Sequence, residues 1–370
     1  CQLFGQTKTD EYLWRISTGG RIRGRAVTAS YGVVYALSED RHMYAVQEST
    51  GRLLWKAFLG GRVWNSLCIG SDGTLYTVLK DGDLIAVNPQ GGVVWRFKAS
   101  GLPAGSPAAG RDGTVYFALE SRELIAVSHT GRERWRVILP SPPVTGPAIG
   151  LTGELYIGCE DRQIYAVTPW GEISWTAVLA GVPGEPAVSS DGTLYVGTDY
   201  GSLVALAPDG YILWDFVTGS PFLAPVIGRD RVFAADRSGG IYAVSFEGSL
   251  IWEAKASATL SGGIVHTAGN DLIALTSRES LIRYRDDGVL SGSFSVKGSG
   301  DMFSVSPTGK YLFSRKDWNL YAYQGGQPER LEWSQAGRDS RQSSNYQMKV
   351  ATSDWLDQFR GYINFEYLEH

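Results

Sequence analysis

YFALESRELIAVSHTGRERW, residues 116–135, shows in full the pattern that decides the fold. In this stretch Ala126 precedes Trp135 by nine residues, and the same pair returns along the chain. The alanines recur every 38 to 41 residues, at Ala45, Ala86, Ala126, Ala166, Ala205, Ala243 and Ala322, with Arg283 in the one remaining slot. A period near 40 residues built only from short strands is typical of a β-propeller blade with four antiparallel strands. The eight copies therefore predict an all-β, eight-bladed β-propeller.

The blade around Ala126 predicts four strands and three turns. The strands are residues 106–109, 114–119, 123–128 and 132–139, which lie between turn-forming residues. Asp-Gly pairs fall between the first and second strands of three blades, at 72–73, 112–113 and 191–192. We interpret them as two-residue hairpins of the primed type, which need φ > 0 at both central residues. These aspartates are therefore predicted to form turns and not to act in catalysis.

A row of aromatic residues follows the same period. Its members are Trp14, Trp55, Trp95, Trp135, Trp175, Trp214 and Trp252, with Phe294 in the next slot. An alanine on the third strand leaves room for an indole on the fourth, and an indole buries roughly 150–250 Å². We therefore predict that these tryptophans dock neighbouring blades together and do not form a cofactor or sugar platform.

Two segments compete for the last strand of the eighth blade. Trp14 precedes any complete repeat, so residues 12–17 form an isolated fourth strand whose pairing with the last blade would close the ring. Trp333 is the competitor, because it follows Ala322 of the eighth copy by 11 residues, the same offset as from Arg283 to Phe294 in the seventh copy. We favour the N-terminal strand, because Pro328 and the polar residues 337–345 suit an outer strap better than a ladder strand.

The repeat divides the chain into four parts. These are an N-terminal tether (1–11), the propeller (12–327), a C-terminal extension that packs on the propeller (328–367) and residues 368–370, which resemble the start of a vector-encoded tag. In the extension, residues 355–362 show helical spacing of apolar side chains and predict a short helix. We expect it to pack on the propeller rather than bind a partner, because it is too short to be stable alone.

Composition argues against several classes of function. The net charge is -4 and the basic residues are scattered, so no nucleic-acid surface is expected. No apolar run reaches the ~18–20 residues of a membrane span. Cys68 and Cys159 lie in apolar strands more than two blades apart and are expected to be buried thiols without a mutual disulfide. The histidines lack ligand spacing and no nucleophile elbow or phosphate-binding loop occurs, so we expect no catalytic residue, metal or cofactor.

Cys1, followed by the polar residues 2–11, is similar to the start of a mature bacterial lipoprotein after removal of its signal peptide. Acyl chains on Cys1 would form a stable membrane anchor. Gln2, in place of aspartate, favours the outer membrane in lipoproteins of this kind. The other interpretation is that Cys1 is an arbitrary boundary of the sequence.

The repeat resembles the PQQ-repeat, or quinoprotein-like, propellers. Residues 44–55, YAVQESTGRLLW, look like the tryptophan-docking motif of that family, with Gln47 where an aspartate is usual. The likeness extends over about residues 12–327. Residues 333–342, WSQAGRDSRQ, are similar to a Trp-Gly-Arg-Asp segment that accompanies such repeats in bacterial surface proteins. The resemblance implies the fold and says little about activity.

Two branches of this family imply different functions. The quinoprotein dehydrogenases hold PQQ over a calcium ion beneath a disulfide of adjacent cysteines, and this sequence has no adjacent cysteines. The lipoproteins of the outer-membrane β-barrel assembly machinery are eight-bladed, of about this length and non-enzymatic. The resemblance to them implies a monomeric scaffold of the bacterial cell envelope, lipid-anchored at the periplasmic face of the outer membrane or at the cell surface, that binds a protein partner. The runner-up is a surface propeller that binds carbohydrate or another small ligand, and a PQQ-dependent dehydrogenase comes third.

One rim of the propeller is the predicted partner surface. Antiparallel order places the fourth-to-first connections and the second-to-third turns on the same rim. Exposed arginine and aromatic residues on loops of a stiff scaffold are typical of interaction hot spots. The predicted partner-binding residues are Arg21, Arg23, Arg62, Trp64, Asp81, Arg122, Arg162, Phe222, Asp236, Arg237 and Trp318. The alternative is a set of solvated hairpins with ion pairs worth under ~1 kcal/mol each.

Overall fold

A computed structural model of the chain describes residues 12–267, 271–296 and 299–324. These described residues form thirty-two strands in eight four-stranded antiparallel sheets, and no helix. The prediction of an all-β, eight-bladed propeller is confirmed. Cys1 and the predicted tether, Trp333, the predicted C-terminal extension with its helix, and residues 368–370 lie outside the described residues.

Seven blades are continuous in sequence, and first strands of neighbouring blades contact one another around the centre of the ring. Blade 1 consists of β2 (Ile22–Thr28), β3 (Val33–Ser38), β4 (His42–Gln47) and β5 (Leu53–Phe58). Blade 2 consists of β6 (Cys68–Ile69), β7 (Leu75–Val78), β8 (Leu84–Val87) and β9 (Val93–Phe97). Blade 3 consists of β10 (Ala108–Ala109), β11 (Val115–Leu119), β12 (Glu123–Val127) and β13 (Glu133–Ile138), each within two residues of the predicted bounds. Blade 4 consists of β14 (Ala148–Ile149), β15 (Leu155–Gly158), β16 (Gln163–Val167) and β17 (Ile173–Val178).

The remaining blades follow the same order. Blade 5 consists of β18 (Ala187–Val188), β19 (Leu194–Gly197), β20 (Ser202–Leu206) and β21 (Ile212–Val217). Blade 6 consists of β22 (Val226–Ile227), β23 (Arg231–Ala235), β24 (Gly240–Ser245) and β25 (Leu250–Lys255). Blade 7 consists of β26 (Leu260–His266), β27 (Leu272–Thr276), β28 (Ser280–Tyr284) and β29 (Leu290–Ser295). Blade 8 takes β30 (Ser299–Val305), β31 (Tyr311–Arg315) and β32 (Asn319–Tyr323) from the end of the described chain and β1 (Trp14–Ser17) from its start.

The N-terminal strand closes the ring, as predicted. β1 pairs with β32, and Trp14 lies opposite Ala322. The indole Nε1 of Trp14 donates a hydrogen bond of 2.7 Å to the backbone oxygen of Glu48 in blade 1. The buried carboxylate of Glu48 accepts a hydrogen bond from Thr308 of blade 8 and lies 3.5 Å from Lys310 Nζ. The first and last blades are therefore joined by a strand, an indole and an ion pair.

Docking between blades depends on a row of side chains across the second, third and fourth strands. In blade 3 Ala126 lies between Tyr116 and Trp135, whose ring centroids are 5.8 Å apart. Trp135 Nε1 donates a 2.8 Å hydrogen bond to the backbone oxygen of Pro169 in blade 4. The indole also covers Gly171, where φ is 94° and an added Cβ would lie 2.9 Å from the ring. The alanine makes room within the blade, and the glycine makes room on the next one.

The other six tryptophans make the same contact with the blade that follows. Their Nε1 atoms donate to backbone oxygens at 2.7–2.9 Å, in the pairs Trp14–Glu48, Trp55–Pro89, Trp95–His129, Trp175–Pro208, Trp214–Phe246 and Trp252–Asp286. Trp14 is buried and the rest of the row is half-buried. At about 25 cal/mol per Å², half-burial of an indole is worth roughly 2–3 kcal/mol.

Blade 7 departs from this plan. Arg283 takes the place of the alanine, and the residue opposite it on β29 is Gly292, while Phe294 lies opposite Leu281. The prediction that Phe294 continues the tryptophan row is therefore wrong, because the true slot holds a glycine. The Arg283 guanidinium instead contacts the carboxylate of Asp271.

The Asp-Gly turns are not primed hairpins. Only their glycines, Gly73, Gly113 and Gly192, have positive φ. In blade 2, Gly73 N donates to Gly70 O and Gly70 N to Thr74 O, which is a turn followed by one left-handed residue. The carboxylate of Asp72 accepts hydrogen bonds from Thr74 N at 2.9 Å and Thr74 Oγ1 at 2.8 Å. The prediction that these aspartates form turns holds, but each does so through its side chain.

Candidate interaction rim

The second-to-third turns are hydrogen-bonded to the connection that enters their own blade. Lys80 N donates to Arg62 O, and Glu120 N to Leu102 O, both at 2.8 Å. The two kinds of loop therefore share one rim, as antiparallel order predicts. We call it the 2–3 rim; it consists of the entering connections and the turns 39–41, 80–82, 120–122, 160–162, 199–201, 237–239, 277–279 and 316–318.

The last residue of each of these turns adopts a left-handed backbone. In five blades it is not glycine: Arg41, Arg122, Arg162, Glu279 and Trp318, with φ between 58° and 73°. In the other three it is Gly82, Gly201 or Gly239, where an added Cβ would lie 2.5–2.7 Å from the backbone of a neighbouring connection. A non-glycine residue in this region costs on the order of 1–3 kcal/mol. Five turns thus keep a side chain at a strained position on this rim.

Most of the predicted partner-binding residues are exposed here. They are Arg21, Arg23, Arg62, Asp81, Arg122, Arg162, Arg237 and Trp318. Trp318 has 53% of its surface exposed, although its backbone is left-handed. Arg23 is engaged within the rim, since its Nε donates a 2.6 Å hydrogen bond to Glu39. The rim therefore presents arginines and one indole on loops held by the propeller.

Phe222 and Asp236 are buried, which corrects their place in the predicted set. Phe222 is 7% exposed and its ring lies 5.9 Å from that of Tyr242. Asp236 is 1% exposed and accepts hydrogen bonds from Ser238 Oγ, Gly240 N and Tyr242 OH at 2.7–2.8 Å. Burial opposes ionisation of this carboxyl, but the three hydrogen bonds outweigh it and lower its pKa. Both residues hold the loops of blade 6 together and present no side chain to a partner.

Trp64 also contacts other residues of the rim. It is half-buried, and its Nε1 donates a 2.8 Å hydrogen bond to the backbone oxygen of Pro103. Lys80 Nζ lies 5.2 Å from the centre of its ring. Trp64 therefore ties the connection entering blade 2 to the connection entering blade 3, and the exposed Arg62 beside it is the better candidate contact.

Sequence reasoning missed an aspartate–tyrosine pair in the same turns. The carboxylate accepts a hydrogen bond from the tyrosine four residues later, in the pairs Asp40–Tyr44, Asp161–Tyr165 and Asp317–Tyr321, at 2.5–2.7 Å. For Asp40 and Asp317, burial opposes ionisation but the hydrogen bonds together lower the pKa. The signal was present in these three repeats as an aspartate four positions before the tyrosine. These pairs brace the turns that carry the exposed side chains.

The rest of the described chain shows little reactive chemistry. Among the described residues no group of three or more His, Cys, Asp or Glu is arranged to hold a metal ion. Cys68 and Cys159 are buried and in no disulfide. Burial, followed by the charges of Asp161 and Glu160, raises the pKa of Cys159 to about 12, so it stays a thiol at neutral pH. Within the described ranges no helix is long and apolar enough to cross a membrane.

Comparison with known families places the sequence. The profile of the family described as "Outer membrane protein assembly factor BamB" matches residues 5–157, 80–181 and 160–295, overlapping stretches that together cover most of the chain. The chain belongs to the BamB family. The resemblance to PQQ-repeat propellers is thereby confirmed. A comparison with curated proteins gave no match.

Solved structures agree on the architecture of this BamB-family chain. The crystal structure of BamB from Moraxella catarrhalis superposes with a TM-score of 0.71 at 17% identity, over 85% of this chain and 99% of that one. The computationally designed Ika8 protein gives 0.72 at 14% identity over 85% and 99%. The C-terminal WD40 domain of Sif2 gives 0.73 at 12% identity over 86% and 99%. At such low identities these likenesses concern the fold alone.

Proposed function

We propose that the protein is a non-enzymatic scaffold of the bacterial cell envelope that binds a protein partner through the 2–3 rim, as a component of outer-membrane β-barrel assembly. The observation that carries this proposal is the BamB family match, which spans residues 5 to 295 of the sequence. Indole docking between blades makes the ring stiff, so its loops lose little entropy when a partner binds.

The exposed rim side chains suggest the chemistry of the partner. Arg62, Arg122 and Arg162 are exposed, and arginine pairs in a bidentate way with carboxylates. Trp318 adds a large apolar surface on the same rim. A folded partner with an acidic loop and a shallow apolar site would suit this arrangement.

A pull-down tests the rim. Immobilised protein is incubated with detergent-solubilised envelope of its source cells, and retained proteins are identified by mass spectrometry. We expect a barrel-assembly component to be retained, and to be lost with Arg122→Glu/Arg162→Glu. The control variant Arg52→Glu/Arg132→Glu changes two exposed arginines of third-to-fourth turns, on the opposite rim, and should retain it. Equal retention by both variants would place the docking surface elsewhere.

The proposed location follows the family. Within this proposal the protein is a lipoprotein at the periplasmic face of the outer membrane or at the cell surface, attached through acyl chains on Cys1. Metabolic labelling with palmitate should mark the parent protein and not Cys1→Ser. Label that persists in the variant would exclude Cys1 as the acylated residue.

The scaffold role assigns no reaction to the chain. Adding PQQ with Ca²⁺ should therefore leave the melting temperature and the absorbance of the mixture unchanged. A thermal shift with a bound chromophore would favour the quinoprotein dehydrogenase alternative.

A further inference from the structure

The fourth strand of each blade lies at the end of its sheet and, among the described residues, pairs on one side only. Its outward N–H and C=O groups form an open edge to which another strand can add. Charged side chains, lysine above all, usually discourage such pairing. The outer strands of blades 1, 2, 3 and 6 carry Lys56, Arg96, Arg134, Arg136 and Lys255.

The outer strand of blade 5 lacks this protection. β21, ILWDFV, contains no lysine, arginine or proline. Tyr211, Ile212, Leu213 and Val217 are 74%, 51%, 54% and 60% exposed. Lysine occupies the position equivalent to Val217, three residues after the tryptophan, in blades 2 and 6. β21 thus combines an open backbone edge with exposed apolar side chains on either side of one carboxylate, that of Asp215.

The neighbouring uncharged edge is less apolar. β17 of blade 4, ISWTAV, likewise contains no lysine, arginine or proline, but polar Ser174 and Thr176 separate its apolar residues. Only its two ends, Ile173 and Val178, are among the exposed large hydrophobic residues, at 38% and 68%. β29 of blade 7, LSGSFS, is uncharged too, but three of its six residues are serines and one is a glycine. Among the described side chains of these three outer strands without lysine or arginine, β21 has the largest exposed apolar surface.

We propose that β21 binds an extended segment of a partner polypeptide as a fifth strand of blade 5. Main-chain hydrogen bonds would supply affinity, and alternate apolar side chains of the segment would pack on Leu213 and Val217. Asp215, exposed between them, selects a segment with lysine or arginine at the facing position. This surface is distinct from the 2–3 rim, so the two proposals stand or fall separately.

The charge on β21 argues against a second copy of the same chain as the occupant. A symmetric antiparallel pair centred on Asp215 places two carboxylates directly opposite each other, which is repulsive. A pair centred on Trp214 would place two indoles opposite each other. Each indole is already engaged within its own chain, because Trp214 Nε1 donates a 2.8 Å hydrogen bond to Phe246 O of blade 6. A partner segment with a cation meets neither obstacle.

Fluorescence anisotropy tests the proposal with a defined probe, a labelled ten-residue peptide of alternating valine and threonine with one central lysine. We expect saturable binding whose Kd rises at least tenfold in Leu213→Lys/Val217→Lys. The matched control is Leu54→Lys/Phe58→Lys, the equivalent positions of β5, which are 40% and 58% exposed; its Kd should stay unchanged. No binding at millimolar probe, or an equal loss in both variants, overturns the proposal.

Two further measurements separate strand addition from apolar adhesion. Methylation of alternate backbone nitrogens of the peptide should abolish binding, and replacement of its lysine by glutamate should weaken it several-fold. Hydrogen exchange should show outward amides of β21 that exchange in the free protein and become protected with peptide. Amides already protected in the free protein, or a dimer in light scattering that the Leu213→Lys/Val217→Lys variant abolishes, would show that this chain covers the edge itself and would refute the proposal.

Discussion

The left-handed arginines of the 2–3 rim yield a quantitative prediction about stability. Arg122 and Arg162 have φ of 73° and 64°. A non-glycine residue in this conformation costs about 1–2 kcal/mol, whereas glycine adopts it freely and costs about 0.5–1 kcal/mol more in unfolded-chain entropy. Arg122→Gly and Arg162→Gly should therefore each stabilise the fold by about 0.5–1 kcal/mol.

Side-chain contacts do little to offset this gain. Both arginines are exposed, and Arg122 Nη1 reaches Pro140 O only at 3.5 Å. The backbone oxygens accept hydrogen bonds from Leu139 N at 2.7 Å and Leu179 N at 2.8 Å, and glycine preserves both. The sites lie in different blades, so the double variant should gain about 1–2 kcal/mol.

Urea unfolding followed by tryptophan fluorescence measures the effect. Arg122→Ala/Arg162→Ala is the control, because alanine removes the guanidinium but keeps a Cβ in the left-handed region. Only the glycine pair should raise the midpoint. A midpoint that is unchanged or lower with glycine, or that rises equally with alanine, would refute the strain argument.

If the rim docks a partner, the same glycine variant should bind it less well while being more stable. A gain in stability at the expense of binding is the signature expected of a strained functional residue. If the two arginines had only a structural role, the glycine variant would not combine higher stability with weaker binding.

Three further predictions concern the packing of the ring. Trp135→Ala should lower the free energy of unfolding by about 2–4 kcal/mol, less than for a fully buried indole, while Trp170→Ala, at a residue 67% exposed, should change it little in the same urea titration. Glu48→Ala should cost about 3 kcal/mol in thermal unfolding because it strands Lys310 beside the ring closure, and Glu48→Gln should recover part of the loss. His266 has its pKa lowered to about 4 by burial, so the unfolded chain binds its proton near pH 6.5 and the folded chain only near pH 4; stability should fall by roughly 3 kcal/mol as pH drops through that window. His266→Ile introduces the residue found at the same blade position in Ile69 and Ile149, and it should remove this loss of stability between pH 6.5 and pH 4. A loss as large as in the parent protein would contradict this account.

Much of the fold could be predicted because each repeat contains the pattern of one whole blade within a short stretch of sequence. The spacing of Ala126 and Trp135 constrains one blade, and its recurrence sets the number of blades. The early position of Trp14 suggested the closing strand, and Pro328 with the polar residues 337–345 favoured it over the competing segment at Trp333. The inferences about the blades depend on the number of residues between two positions, which can be read directly from the sequence.

Blade 7 shows where residue type misled the prediction. Phe294 was predicted to continue the tryptophan row because it is aromatic, but it follows Arg283 by eleven residues, whereas Trp135 follows Ala126 by nine. The nine-residue spacing leads from Arg283 to Gly292, which occupies the slot, and the register shift beside it occurs in blades 3 and 4 as well. The contact of Arg283 with Asp271, by contrast, appears only in the structure.

The sequence by itself determined the blade and the number of blades, because the same pattern of buried residues recurs in each repeat. It favoured the N-terminal strand over the segment at Trp333 for closing the ring, and the pairing of β1 with β32 in the structure decided the matter. Only the tertiary structure decided that Phe222 and Asp236 are buried, that Arg122 and Arg162 are held in a left-handed backbone, and that β21 has the most exposed apolar edge. Exposure and backbone strain arise from contacts between loops and strands that are distant along the chain. No local pattern records those contacts, so the character of the rim and of the edge appears only in three dimensions.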